Sequence, residues 1–354
     1  MSYVIEKNLP PADLIIRDLP ASPEIQEKVL QDRQDIVNIL EGSDPRKILI
    51  VGPCSAWPSR SVIEYAEKLG VLTKKHEKTL KIVMRTYLQK PRTTIGWLGP
   101  LTQPNPFEKS DLEKGITYCR SMMLEVLKLG VPMADEALFT HNDGYFVDLL
   151  SWVAIGARSS EDQEHRIFAS MIPHPVGIKH PTSGDIEKGV NSIVAAQNPH
   201  VFALHRKQIQ TSGNPHAHMI LRGGNGKSNY NQASIEKTIA LMEKQKVQNP
   251  SIILDLSHEN SIDPLSGKKD HHRQPVVLQE VLATMKKNPQ IQKHVKGFMA
   301  ESFIHGGKQD LNKAQSMKDL TPGCSITDGC LSWEQTVAMI EHLATNLRTG
   351  AGFK

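Results

Sequence analysis

Residues 251–260 read SIILDLSHEN. A short apolar run, 251–257, leads to an ionisable side chain, His258, at what would be the end of a β-strand. The same arrangement recurs along the chain. Residues 48–53 (ILIVGP) run into Cys54, 81–87 (KIVMRTY) carry Arg85, and 133–138 (MADEAL) carry Glu136. Then 152–158 (WVAIGAR) end on Arg158, 175–179 (PVGIK) on Lys179, 218–223 (HMILRG) carry Arg222 and 297–303 (GFMAESF) carry Glu301. Between these eight runs lie longer segments, such as 111–129 and 235–246, whose apolar residues repeat at helical spacing. Strands alternating with helices predict a parallel sheet with crossover helices. An open doubly wound sheet and a closed (β/α)8 barrel share that alternation. The barrel is the better reading, because its loops converge at the C-terminal ends of all eight strands, and each strand here ends on a polar or ionisable residue.

The remaining segments fit around that barrel. Residues 1–47 form an extension with a Pro-rich start and a helical stretch from about 22 to 41, expected to cover the barrel floor or meet a partner subunit. The barrel itself is assigned to 48–347. Within it, 201–214 (VFALHRKQIQTSGN) alternates apolar and polar residues and predicts a hairpin inserted before the sixth strand.

Composition narrows the class. The 354 residues carry 42 Lys+Arg and 38 Asp+Glu, a net charge of +4. The basic residues are scattered, not gathered in a stripe or tail, so nucleic acid is not an expected partner. Four cysteines are too few for a disulfide scaffold and fit a reducing compartment. No apolar stretch reaches the 18 or so residues needed to span a bilayer, and Met1–Glu6 has no signal-peptide pattern. The expectation is a soluble cytoplasmic protein with no membrane partner.

Gly223-Gly224-Asn225-Gly226-Lys227-Ser228 ends like a phosphate-binding loop, but Leu221 occupies the position of the motif's first glycine. Arg222 beside the bare amides of Gly223 and Gly224 suits a simpler anion contact. Cys54, His258, Glu301 and Asp328 together offer a thiolate, an imidazole and two carboxylates, a donor set for Mn, Fe, Co or Zn. Singly, each is more often a buried or hydrogen-bonded residue than a ligand. Their shared place on the barrel rim favours a metal site. The pair His271-His272 reads as a solvated turn. Arg85, Lys90, Arg92, Arg158, Lys179 and Arg222 form a cationic set that has no packing reason to converge and predicts substrates bearing several negative charges.

LIVGPCS, MRTYLQKPRTTIGW, SWVAIGAR, PVGIK, ILRGG, DLSHEN, AESF and SITDGC occur in this order. Through them, residues 14–347 resemble the 3-deoxy-D-arabino-heptulosonate 7-phosphate (DAHP) synthases, in particular the type I alpha branch. The resemblance implies a (β/α)8 barrel that condenses phosphoenolpyruvate with erythrose 4-phosphate at the entry of the shikimate pathway. It also implies a homodimer or homotetramer. The metal ligands would be Cys54, His258, Glu301 and Asp328. Phosphoenolpyruvate would meet Arg85, Lys90, Arg158, Lys179 and Arg222, with Glu136 beside it. The aldose phosphate would meet Lys90, Pro91, Arg92 and Thr93, with Asp328 near its reacting end. Lys90, Glu136 and His258 are the expected catalytic groups. Glu136 would position or deprotonate the attacking water, and Lys90 would pass a proton to the aldehyde oxygen.

Four departures stand out. Leu98 replaces a Lys, His180-Pro181 replaces Asn-Gly, Asp135 replaces a Gly beside the phosphoenolpyruvate pocket, and Pro173 replaces a Ser of the phenylalanine-sensitive form. The 201–214 hairpin is also shorter than in feedback-inhibited members and lacks a Trp. These changes predict weak or absent inhibition by aromatic amino acids. They leave room for a paralogue using a different aldose phosphate, while a non-catalytic regulatory barrel is disfavoured by retention of the whole set. Cys330, two residues after Asp328, is expected near Cys54, where mild oxidation of metal-free protein would join the two.

Overall fold

The structure, a computed structural model, describes residues 2–92, 95–138, 144–204 and 206–349. Eight parallel strands close into a barrel: β1 (Lys47–Gly52), β2 (Leu80–Arg85), β3 (Met133–Glu136), β4 (Trp152–Ile155), β5 (Val176–Lys179), β8 (His218–Leu221), β9 (Ile252–Asp255) and β10 (Val295–Glu301). Each pairs with its sequence neighbour in the barrel, and β10 closes on β1 with Ile48 opposite Gly297. Strands β6 (Val201–Leu204) and β7 (Lys207–Gln210) form the antiparallel hairpin between β5 and β8. The strands stop earlier than the apolar runs suggest. β4 ends at Ile155, and Gly156-Ala157-Arg158 belongs to the following turn.

The alternation of side chains along each strand divides the core in two. Leu49, Val51, Ile82, Met84, Val153 and Ile178 face outward against the helical ring. Ile48, Ile50, Val83, Ala134, Trp152, Ala154, Ile220, Ile253 and Met299 fill the barrel interior. Gly177 belongs to that inner layer because Trp152 leaves no space, and a Cβ there would lie 2.2 Å from its ring.

Below the strands lies α2 (Pro23–Glu41), which follows the short α1 (Ala12–Asp18). It begins at Ser22, whose side chain accepts from Ile25 N–H, has Pro23 at its first position and ends at Gly42 with φ 89°. Its residues Ile36, Ile39 and Leu40 share one cluster with Ile48 and Ile50, so this helix plugs the floor. Lys81, the inward residue at the base of β2, is held there by Asp32 and Asp35 of α2, at 2.7 and 2.6 Å.

The outer ring is α3 (Ser59–His76), α4 (Leu112–Lys128), α5 (Gln163–Met171), α6 (Ile186–Gln197), α7 (Gln232–Lys244), α8 (Gln274–Lys287) with the short α9 (Pro289–His294), and α10 (Trp333–Thr349). No helix among the described residues is long and apolar enough to cross a membrane.

Candidate active site

The same alternation of two builds the site. Above inward Val83 comes Arg85, above Ala134 comes Glu136, and above Gly177 comes Lys179. Arg222 follows Ile220, Asp255 follows Ile253 and Glu301 follows Met299. Ionisable groups thus form the top layer of a stack whose lower layers are hydrocarbon. Arg85, Glu136, Lys179, Arg222 and Glu301 are all no more than 5% exposed. They line or underlie a cavity of about 770 Å³, counted to its mouth, which Lys90, Pro91, Arg92, Arg158, His258 and Asp328 also line.

Burying this many charges is costly unless each finds a partner. Arg85 lies 3.2 Å from Glu301 and sits over the Tyr87 ring at 4.0 Å. Its Nη1 is buried with no hydrogen-bond partner among the described residues. Lys179 Nζ donates to Glu136 Oε2 at 3.2 Å. Burial works to raise the Glu136 carboxyl, but the charges of Lys179, Lys90 and Arg85 outweigh it and hold the group below its ordinary range. Glu136 is therefore a carboxylate at neutral pH. Arg222 donates to Gly223 O at 2.9 Å and lies 3.8 Å from Glu259. Its backbone N–H is held by His180, whose Nε2 accepts from it at 3.2 Å and from Asn229 Nδ2 at 2.7 Å. His180 thus sits inside the β5–β8 seam as a positioning group.

Ligand atoms of Cys54, Glu301 and Asp328 all lie within 4.8 Å of one another. His258 joins them less closely, with Nε2 3.9 Å from Glu301 Oε1. Its Nδ1 faces Asp255 Oδ2 at 2.8 Å, which leaves Nε2 toward the cluster, the usual arrangement of a metal-binding imidazole. His258 adopts φ 54°, a left-handed conformation costing about 1–2 kcal/mol for a non-glycine residue. Asn260 offsets that cost by holding the turn to Leu221 O and Asp255 O. Glu301 is fixed through its backbone, which exchanges two hydrogen bonds with the Gln274 amide.

Lys90 Nζ stands among the donors, 2.6 Å from Cys54 Sγ and 3.1 Å from Asp328 Oδ2. Lys90 thus sets a cation against two of these donors, and one thiol, one imidazole and two carboxylates suit a borderline divalent ion, so the residues fit a metal. Burial pushes the Cys54 thiol up to about 12, and a divalent ion would displace that proton on binding. Cys330 is buried against the Cys54 backbone N–H, and all four cysteines are free.

Three further expectations fare differently. Asp135 stands beside the pocket, where its charge acts on Tyr87, but does not line it. It is the outward residue between two inward ones, and its buried carboxylate accepts the N–H groups of Leu88 and Glu136 at 3.1 and 2.7 Å. His271-His272 is not simply solvated. His271 is half-buried and packs against Gly329, next to Asp328, while His272 bonds Gln335. Thr93 lies outside the described residues. Tyr87, Asp255 and Lys269 were not anticipated. The first two lie on the same inward register as Arg85 and Glu301, a signal present in the sequence, whereas Lys269 carries no such signal.

Comparison with known proteins gives the same direction. The family model described as the DAHP synthetase I family matches residues 21–341. A "Phospho-2-dehydro-3-deoxyheptonate aldolase" from Corynebacterium glutamicum is 38% identical over 96% of this chain and 91% of that protein. A Tyr-sensitive enzyme of the same name from Salmonella typhimurium is also 38% identical, over 93% of this chain and 90% of its own. A solved structure of this aldolase from Francisella tularensis superposes with a TM-score of 0.90 at 36% identity, covering 98% of both chains. With the barrel, the converging cations and these relatives together, the chain belongs to the DAHP synthetase I family of enzymes.

Proposed function

We propose that the chain joins phosphoenolpyruvate, erythrose 4-phosphate and water to give DAHP and inorganic phosphate, with a divalent ion at Cys54, His258, Glu301 and Asp328. The observation that carries this reading is the pairing of a cation-lined cavity with a thiol, imidazole and carboxylate cluster at its wall.

Arg85, Lys179 and Arg222, the buried cations, suit the phosphate and carboxylate of phosphoenolpyruvate, and the unpartnered Nη1 of Arg85 awaits such an oxygen. Arg158 lines the same cavity and joins them for phosphoenolpyruvate, while Arg92 suits the second substrate. A bound divalent ion would supply Lewis-acid polarisation of the aldehyde carbonyl. As C3 of phosphoenolpyruvate bonds to the aldehyde carbon, Lys90 is placed to give a proton to the aldehyde oxygen. Positive charge developing at C2 is met by water, and Glu136, held ionised by Lys179, takes the water's proton. Phosphate then leaves C2 toward Arg85, Lys179 and Arg222.

The test is phosphate release on mixing the protein with Mn²⁺ and both substrates. Release is expected with erythrose 4-phosphate, abolished by EDTA and weaker with arabinose 5-phosphate. Release independent of the aldose would overturn the reading.

A further inference from the structure

The segment between β9 and α8 closes on itself. Ile262 bridges Lys269 in antiparallel fashion. Asp263 N–H donates to Lys268 O at 2.8 Å and Asp270 N–H to Ser261 O at 2.9 Å. The Asp263 carboxylate accepts from Leu265 and Ser266, at 2.6 and 2.9 Å. The loop is thus a stapled ring whose neck lies three residues beyond His258. Lys269 sits at that neck and lines the active-site cavity.

Two features make this placement hard to explain by packing. Lys269 is exposed, so it covers no core. Among the described residues it has no carboxylate within ion-pairing distance, although Arg92, Arg158 and four other cations line the same cavity. A lysine added beside six cations without an acid of its own deepens an excess of positive charge that a bound anion would relieve.

The lining as a whole is strongly cationic: seven lysines and arginines against Glu136 and Asp328, a setting suited to substrates bearing several negative charges. The buried cations, with Arg158, answer the first substrate. Arg92, half-buried, and Lys269, exposed, remain for the second phosphate.

We infer that Lys269 is a specificity-determining residue that binds the phosphate of the aldose substrate. This rests on the condensation proposed above. The experiment uses the full-length Mn²⁺-loaded protein and compares Lys269→Met with Lys269→Arg. Loss of a charge-assisted hydrogen bond predicts that Lys269→Met raises KM for erythrose 4-phosphate about tenfold to a hundredfold. KM for phosphoenolpyruvate stays unchanged, Lys269→Arg recovers most of the loss, and turnover of unphosphorylated erythrose is the same in all three proteins. An unchanged KM for erythrose 4-phosphate, or an equal shift for phosphoenolpyruvate, overturns the inference. If the unaltered protein fails to join the two substrates, the condensation itself is refuted. Titration of inorganic phosphate into the phosphoenolpyruvate-bound protein then decides the role of Lys269. Several-fold weaker binding in Lys269→Met supports it, and equal binding sinks it.

Discussion

Replacing His180 with Leu tests how the strand seam holds the site. The His180 ring is fully buried and accepts two hydrogen bonds on one nitrogen, from Arg222 N–H and the Asn229 amide. Its other nitrogen donates to Pro181 O at 2.9 Å, which fixes the neutral tautomer. Leucine keeps the volume and orphans two buried donors, at about 1–3 kcal/mol each, so His180→Leu should lose about 2–6 kcal/mol at pH 7. The loss should also depend on pH. Burial lowers the His180 pKa from 6.5 to about 4. Its folded value lies below its unfolded one, so its contribution is complete above pH 6.5 and is lost as pH falls toward 4. Between pH 7 and pH 5 the parent protein forfeits about 2 kcal/mol from this residue, and the variant forfeits nothing there. Urea unfolding at both pH values should therefore show the gap between the two proteins narrowing by about 2 kcal/mol at pH 5. KM for phosphoenolpyruvate should rise in the variant, because Arg222 loses its anchor. Equal stability at pH 7, or a gap that does not change with pH, would refute this reasoning.

Further outcomes follow from the same geometry. Glu136→Gln should keep phosphoenolpyruvate binding while kcat falls about a hundredfold to ten-thousandfold, the usual worth of a positioned acid–base group; full kcat in steady-state assays removes Glu136 from that role. Gly115→Ala should destabilise the protein by about 1–3 kcal/mol or more in thermal unfolding, since a Cβ there would meet Leu101 O at 1.8 Å. An unchanged Tm would show that this loop is loose. Micromolar phenylalanine, tyrosine or tryptophan should inhibit phosphate release weakly or not at all, given the short Trp-free hairpin, and strong inhibition by micromolar phenylalanine contradicts that expectation.

The fold was legible because each strand announces itself twice, by an apolar run and by the polar residue that ends it. What the runs did not disclose is which alternate residue faces inward. Once Val83, Ala134 and Ile253 are seen inside the barrel, Arg85, Glu136 and Asp255 follow by counting two. That count also separates Asp135 from Glu136: a strand sends neighbours to opposite faces, so Asp135 holds loop backbone from beside the pocket while Glu136 faces into it. Lys269 was illegible for another reason. It reaches the cavity through a loop closed by backbone bonds at residues 261–270, and no periodicity signals such a closure. His180 looked like a departure affecting specificity, and only the structure shows its two accepted hydrogen bonds across the seam.

The most direct test follows the carbon that is meant to react. Phosphoenolpyruvate isotopically labelled at C3 is mixed with erythrose 4-phosphate, Mn²⁺ and the protein, and the product is read by NMR. The predicted result is a seven-carbon sugar acid phosphate whose labelled carbon has become a methylene, formed one for one with inorganic phosphate. Phosphate appearing without a new bond at the labelled carbon, or a label left in unreacted phosphoenolpyruvate, would contradict the account.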